Sequence, residues 1–277
     1  MKIGVFAKTY SGISPTEVLL KVHKAGYESV AYNMVCSKLS SLPLEVTDNV
    51  IEELMISSLA TKVEISSLSA TYNMIHQSKQ VKDNGLTSLL NLARVANLIG
   101  CNLITLCTGT RCQTNQWHGH PDNNSQQAWD ELVSEMRKAI QIAEKYDIYL
   151  GIEPELSNVI NSATKAKRLI EQLESDRIRI IFDPANLFEQ VTLAEQHHII
   201  EESFNLLEPY IIQAHAKDRN ADGSFGVTGK GILDYDFYIR MLINSGFQGE
   251  LIAHGFSEQD GQFVYDFLRE KVIQAGQ

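Results

Sequence analysis

Ile148-Tyr149-Leu150-Gly151-Ile152-Glu153 and Arg179-Ile180-Ile181-Phe182-Asp183 are two short apolar runs, each closed by a carboxylate. Runs of this length and composition read as strands buried on both faces, as in a parallel sheet. Outward from this pair the same unit recurs at Lys2–Phe6, Ser29–Tyr32, Glu64–Ala70, Asn102–Cys107, Tyr210–His215 and Glu250–His254. The segments between carry apolar residues at three- and four-residue spacing, as in Leu132, Met136, Ala139, Ile140 and Ala143, which is the period of an amphipathic helix. Gly26, Gly100 and Gly246 fall where helices end, supplying the left-handed turn that sends the chain back toward a strand. Strands alternating with helices imply right-handed crossovers and a parallel sheet. The eight runs span residues 1–277 without a linker or low-complexity break, which predicts an α/β chain folded as one closed (β/α)8 barrel domain. An open doubly wound sheet is the competing architecture. The first strand, however, is followed by Ala7-Lys8-Thr9-Tyr10-Ser11-Gly12, without the GxGxxG that would bind a dinucleotide.

Composition narrows the function. The 277 residues hold 24 Lys and Arg against 34 Asp and Glu, a net charge of -10, which disfavours a protein that grips nucleic acid through its phosphates. No stretch of about 18 consecutive apolar residues is present, and no apolar signal segment follows Met1. The four cysteines, Cys36, Cys101, Cys107 and Cys112, form no CxxC pair, so the expectation is a cytoplasmic protein with reduced thiols. A homo-oligomer is compatible with this composition.

Reactive residues of a parallel barrel belong at the C-terminal ends of its strands. The last residues of runs five to eight are Glu153, Asp183, His215 and His254. Any one alone could be a strand end meeting solvent; four in succession on neighbouring strands point to a divalent metal site, with Glu153, Asp183 and His215 as ligands and His254 either the fourth ligand or an acid–base group that does not touch the metal. Imidazole and carboxylate donors together suit Mn, Zn, Co or Fe better than Mg. Glu155, two positions beyond Glu153, is either a second reactive carboxylate or a solvated loop residue. Lys217, two beyond His215, is either a cation facing the site or a surface lysine paired with Asp218. The long connection Thr108–Asn124 carries Arg111, Trp117, His118 and His120. Such a loop suits a sugar or sugar acid, with Trp117 covering a C–H face, Arg111 pairing an anionic end and His120 hydrogen-bonding. Arg219 is a further candidate anion contact. His118 and His120 could instead be extra metal ligands, as could His76, whereas His197 and His198 read as helix-packing and surface residues.

The segments Ile152-Glu153-Pro154-Glu155, Phe182-Asp183-Pro184-Ala185-Asn186, His215-Ala216-Lys217-Asp218, Thr228–Tyr235 and Gly249–His254 resemble the xylose-isomerase-like TIM-barrel superfamily of sugar isomerases and epimerases, which includes endonuclease IV. The resemblance covers nearly the whole chain. It implies a divalent metal held by Glu153, Asp183 and His215, with a glutamate expected where this chain has His254. It also implies a histidine where this chain has Asn186, which is taken as a substrate contact. In the family's epimerases and ketose isomerases two glutamates flank a metal-polarised carbonyl and move the α-proton through an enediolate. With His254 in place of the second, a symmetric two-base epimerisation is less favoured than a reaction using one base, either Glu153 or Glu155. The expectation is therefore a metal-dependent isomerase or epimerase of a small sugar, sugar phosphate or polyol-derived keto compound. The alternatives are a metallohydrolase or lyase of the same fold, or a sugar-binding barrel without chemistry.

Overall fold

The computed structural model describes residues 1–277. Eight parallel strands close a barrel: β1 (Lys2–Phe6), β2 (Ser29–Tyr32), β3 (Glu64–Ser69), β4 (Leu103–Leu106), β5 (Tyr149–Ile152), β6 (Ile178–Phe182), β7 (Ile211–Ala216) and β10 (Glu250–Ala253). Strand β1 pairs with both β2 and β10, which closes the circle. A short antiparallel hairpin, β8 (Asp218–Arg219) with β9 (Phe225–Gly226), stands in the loop after β7. Helices α1 (Pro15–Lys24), α2 (Asp48–Thr61), α3 (Lys79–Ile99), α4 (Gln126–Tyr146), α5 (Ala163–Leu173), α6 (Leu193–Leu207), α7 (Tyr235–Asn244) and α8 (Gly261–Ala275) form the outer layer. None is long and apolar enough to cross a membrane.

The barrel expected from the alternation of runs is the one observed. Every residue of β2 and of β4 is buried, because one face meets the barrel interior and the other the helices. Helix α4 turns Leu132, Met136, Ala139, Ile140 and Ala143 inward, the residues whose spacing marked it as amphipathic. Ser125 caps its start by accepting from the Ala128 N–H at 3.1 Å, and Thr192 with Glu195 forms a capping box on α6. Gly26, Gly100 and Gly246 adopt φ of +97°, +76° and +76°, as their places before strands required.

The strand boundaries differ slightly from the sequence expectation. Strands β5, β6 and β10 end one residue early, so Glu153, Asp183 and His254 stand just past the ladder, while His215 remains inside β7. Tyr210 belongs to a one-turn helix, Glu208–Tyr210, rather than to β7.

One packing detail yields a stability prediction. A Cβ on Gly85, within α3, would lie 2.1 Å from the buried Tyr72 ring. Alanine would gain about 1 kcal/mol of helix propensity, but overpacking a rigid buried ring costs more, about 1–3 kcal/mol. Gly85→Ala is expected to lower the urea midpoint at unchanged slope; an unchanged or raised midpoint would show that the ring moves aside.

Candidate metal centre and its cavity

The strand order sets β5, β6, β7 and β10 side by side, so their C-terminal ends share one rim. Asp183 caps the turn Pro184–Asn186 that follows β6, its Oδ1 accepting from the Ala185 N–H at 2.9 Å. This leaves Oδ2 facing the imidazoles of His215 and His254. The backbone N–H of His254 donates to the Ala216 carbonyl at 3.2 Å, which continues the β10–β7 register one step and fixes the imidazole over the rim. One donor atom from each of Glu153, Asp183, His215 and His254 lies within 4.8 Å of all the others.

His215 Nδ1 stands 3.3 Å from Glu153 Oε1 and 3.7 Å from Asp183 Oδ2. His254 Nε2 stands 3.5 Å from Asp183 Oδ2 and 3.2 Å from His215 Nδ1. Asp183 Oδ2 is buried and has no hydrogen-bond partner of good geometry. A buried carboxylate oxygen left unpaired is costly unless something else binds it. With two imidazole nitrogens and a Glu153 oxygen converging on it, that oxygen completes a donor set that fits a divalent cation.

Electrostatics within the cluster follow from burial and close charge. Burial works to raise Asp183, but the two imidazoles and the Lys217 ammonium outweigh it and hold the carboxyl well below the usual range. Burial works to lower His215, but the Glu153 and Asp183 charges push it up to about 9. Burial lowers His254, and the positive charges of His215 and Lys217 keep it there against the pull of Asp183.

The rim opens into a cavity of about 640 Å³ whose walls include Glu153, Glu155, Asn186, His215, Lys217 and His254. Glu155 reaches it from a turn, not from the strand pleat: its N–H donates to Ile160 and its carbonyl accepts from Asn158. The Ser157 hydroxyl donates to its carboxylate at 3.0 Å. Burial first, and then the charge of Glu153, raise Glu155 above the usual carboxylate range. Asn186 donates from Nδ2 to Glu153 Oε1 at 2.6 Å and accepts the Lys217 ammonium at 2.8 Å on Oδ1. The Lys217 charge thus fixes which end of the amide meets Glu153. Lys217 also lies over the Phe225 ring at 3.4 Å, so the β8–β9 hairpin holds it from above.

Of the loop residues after β4, Trp117 lines the cavity mouth, half exposed at 49%. Arg111 does not line it. The Asn123 side chain pins the Arg111 backbone, and the buried guanidinium turns outward to donate to Glu131 of α4 at 2.9 Å and to the Ile75 carbonyl at 3.2 Å. His120 also points elsewhere, because its Nδ1 accepts from the Asp122 N–H and caps the turn Pro121–Asn124. Arg219 is buried, donating to the carbonyls of Ala185 and Gly223, and so ties the hairpin to the loop after β6 instead of facing the cavity. His76 and His118 do not join the four-residue cluster. His197 stacks on Phe237 at 4.1 Å and bonds to Asp234, while His198 is exposed beside Glu202. Cavity-lining residues that sequence reasoning passed over include Lys8, Asn33, Ser69, Thr71, Gln116 and Phe225. Lys8 lies two positions past β1, so the same strand-end rule would have found it.

Fold and rim together define a (β/α)8 barrel with a candidate metal centre at the C-terminal ends of adjacent strands. The chain belongs to the xylose isomerase-like TIM barrel family, whose model matches residues 19–276. No curated protein sequence matches it. Among solved structures it is similar to 3-keto-D-glucoside 4-epimerase YcjR from E. coli, with TM-score 0.77 and 16% identity over 98% of this chain and 99% of that one. D-psicose 3-epimerase from Clostridium cellulolyticum H10, solved with D-tagatose, matches with TM-score 0.74 and 14% identity over 98% and 99% of the two chains. A xylose isomerase-like protein from Mycobacterium smegmatis in complex with magnesium matches with TM-score 0.70 and 16% identity over 94% and 88%.

Proposed function

We propose that this protein is a divalent-metal-dependent isomerase or epimerase that moves a proton next to the carbonyl of a small carbohydrate or polyol-derived keto compound. The observation that carries this reading is the cluster of Glu153, Asp183, His215 and His254 opening into a cavity with a further carboxylate, Glu155, on its wall. The epimerases among its structural relatives act on compounds of this class. These four residues would hold the ion, Mn, Zn, Co or Fe by the chemistry of their donors, and the ion supplies polarisation of a substrate carbonyl.

The chain's own groups would do the rest. Glu153 is engaged by Asn186 and His215, which orients it as a ligand. Glu155 is held only by Ser157 and its raised affinity for a proton brings it closer to neutral pH, which suits it to take a proton from carbon and return it. Lys217, fixed by Asn186 and Phe225, is placed to hydrogen-bond an oxygen on which negative charge develops. Trp117 presents flat apolar surface for the C–H face of a sugar. A metallohydrolase using several ions would need ligands beyond these four, and His76, His118 and His120 stand outside the cluster.

The test is incubation of the metal-loaded protein with a panel of ketoses and inososes in deuterated water. Deuterium entering a carbon beside the carbonyl, with an isomeric product, is the expected result. Cleavage of an abasic-site oligonucleotide without exchange on any sugar would overturn it.

His254 gives a further expected outcome. As a ligand it replaces a charged oxygen with a neutral nitrogen, so His254→Ala should weaken metal binding by more than the roughly 10–100-fold that losing an outer-shell partner costs. His254→Glu should retain the ion and shift preference toward Mn or Mg. Competition with a chelator measures both. Full occupancy in His254→Ala would make His254 an acid–base group without metal contact.

A further inference from the structure

Helix α2 is apolar on both of its sides. Ile51 and Leu54 are buried against the barrel, while Met55, Ile56 and Leu59 stay in solvent, Ile56 exposed at 57% and Leu59 at 79%. On every other helix the exposed large apolar residues stand singly or at least eight positions apart, the scatter normal for a protein surface. On α2 they fall within five consecutive positions, and with Glu52 they follow the i, i+3, i+4, i+7 spacing that makes one stripe. Neighbouring helices widen it. The Thr16 hydroxyl of α1 meets that of Ser57 at 2.7 Å, which seats Leu20, one turn on and exposed, beside the stripe. Arg94 of α3 bonds Asp48 and the Val46 carbonyl, which seats the exposed Leu98, one turn on, along the other flank. A contiguous apolar face rimmed by charge marks an interaction surface.

The charges along the stripe identify what covers it. Glu52 lies at its N-terminal end and Lys62, the C-cap of α2, at its C-terminal end; both are exposed, and neither side chain has a hydrogen bond or an ion pair. Asp48, by contrast, is satisfied by Arg94. Met55 and Leu59 stand two residues either side of Ser57, and Glu52 and Lys62 five either side. A two-fold axis at the level of Ser57, perpendicular to α2, therefore lays a second α2 antiparallel on the first. Met55 then meets Leu59 and Glu52 meets Lys62, each pair formed twice. At 1.5 Å per residue the charges lie about 7.5 Å from the axis, so the ion pairs close both ends of the apolar contact. A stripe that is its own complement on reversal is what an isologous interface requires. An anionic membrane surface would attract Lys62 but repel Glu52.

We propose that the protein is a two-fold symmetric dimer joined through α2, with Leu20 and Leu98 at the borders of the interface. This is independent of the carbohydrate reading, since α2 belongs to the outer layer and none of these side chains lines the cavity.

Sedimentation equilibrium of the full chain is expected to give twice the chain mass. Leu59→Glu sets an unpaired carboxylate against Met55 of the second copy and should weaken association about 100-fold or more. Its far-UV circular dichroism and metal content should match the wild type, because Leu59 is exposed in the single chain. Glu52→Lys and Lys62→Glu each bring like charges together and should weaken self-association about tenfold. Mixed in equal amounts, these two variants should associate as tightly as the wild type, since every contact between them again joins unlike charges. A single-chain mass at the highest soluble concentration would overturn the proposal. So would a dimer that persists in Leu59→Glu, or two charge variants that fail to pair in the mixture. A monomer that binds vesicles of anionic lipid would overturn it in favour of a membrane surface.

Discussion

Protein carrying Asp183→Ala and His215→Ala together is expected to leave purification without its divalent ion, whereas the wild type prepared without chelator should carry about one ion per chain. Both residues are almost fully buried at the bottom of the cluster, and the unpaired Oδ2 of Asp183 is the atom that most needs a cation. Losing two of four donors leaves Glu153 and His254, a pair that any flexible surface could imitate. Thermal melting gives a second readout. An ion present at about 100 times its Kd adds about 2.7 kcal/mol to the folded state, enough to raise the melting temperature of a chain this size by several degrees. The wild type should show that rise on adding Mn or Zn, and the double variant should not. Wild-type metal content in the double variant would move the site elsewhere.

The second large effect concerns the two glutamates after β5. Glu155→Gln is expected to reduce proton exchange by about 10²–10⁴-fold, with metal content and substrate affinity little changed, because glutamine keeps the shape and the Ser157 bond but cannot take a proton. Glu153→Gln should reduce exchange and metal affinity together, since its Oε1 lies among the four donors and also receives Asn186. Rapid-quench measurement of deuterium wash-out, paired with elemental analysis, separates the two patterns. The reverse assignment, with Glu153→Gln sparing the metal and Glu155→Gln sparing exchange, would exchange their roles.

The barrel was legible because its determinants are local. Apolar runs, their spacing and the glycines after α1, α3 and α7 each reflect backbone geometry within a few residues. Three other helices end on Lys62, Asp147 and Glu174 in the same left-handed conformation, with nothing in their composition to announce it. The four-residue cluster was legible for a related reason: a strand's end is visible in sequence, and barrel closure makes neighbours of consecutive strands. Glu155 was placed on the cavity side by strand periodicity, yet it arrives there through the turn closed by Ile160 and Asn158.

Loop side chains were not legible in the same way. The direction of Arg111 is decided by Asn123 and by Glu131 on α4, contacts that no local pattern encodes. Arg219 is likewise captured by the carbonyls of Ala185 and Gly223, and His120 by its own turn. A long polar side chain in a loop takes whichever partner the fold brings within reach, so its residue type indicates chemistry without indicating direction.

The centre on β5, β6, β7 and β10 is the claim on which the rest depends, and anomalous diffraction from crystals of the protein loaded with Mn or Zn tests it most directly. The account predicts one strong peak per chain, within about 2.0–2.3 Å of donor atoms from Glu153, Asp183, His215 and His254. No peak at that rim under saturating metal, or a peak coordinated by other residues, would contradict it.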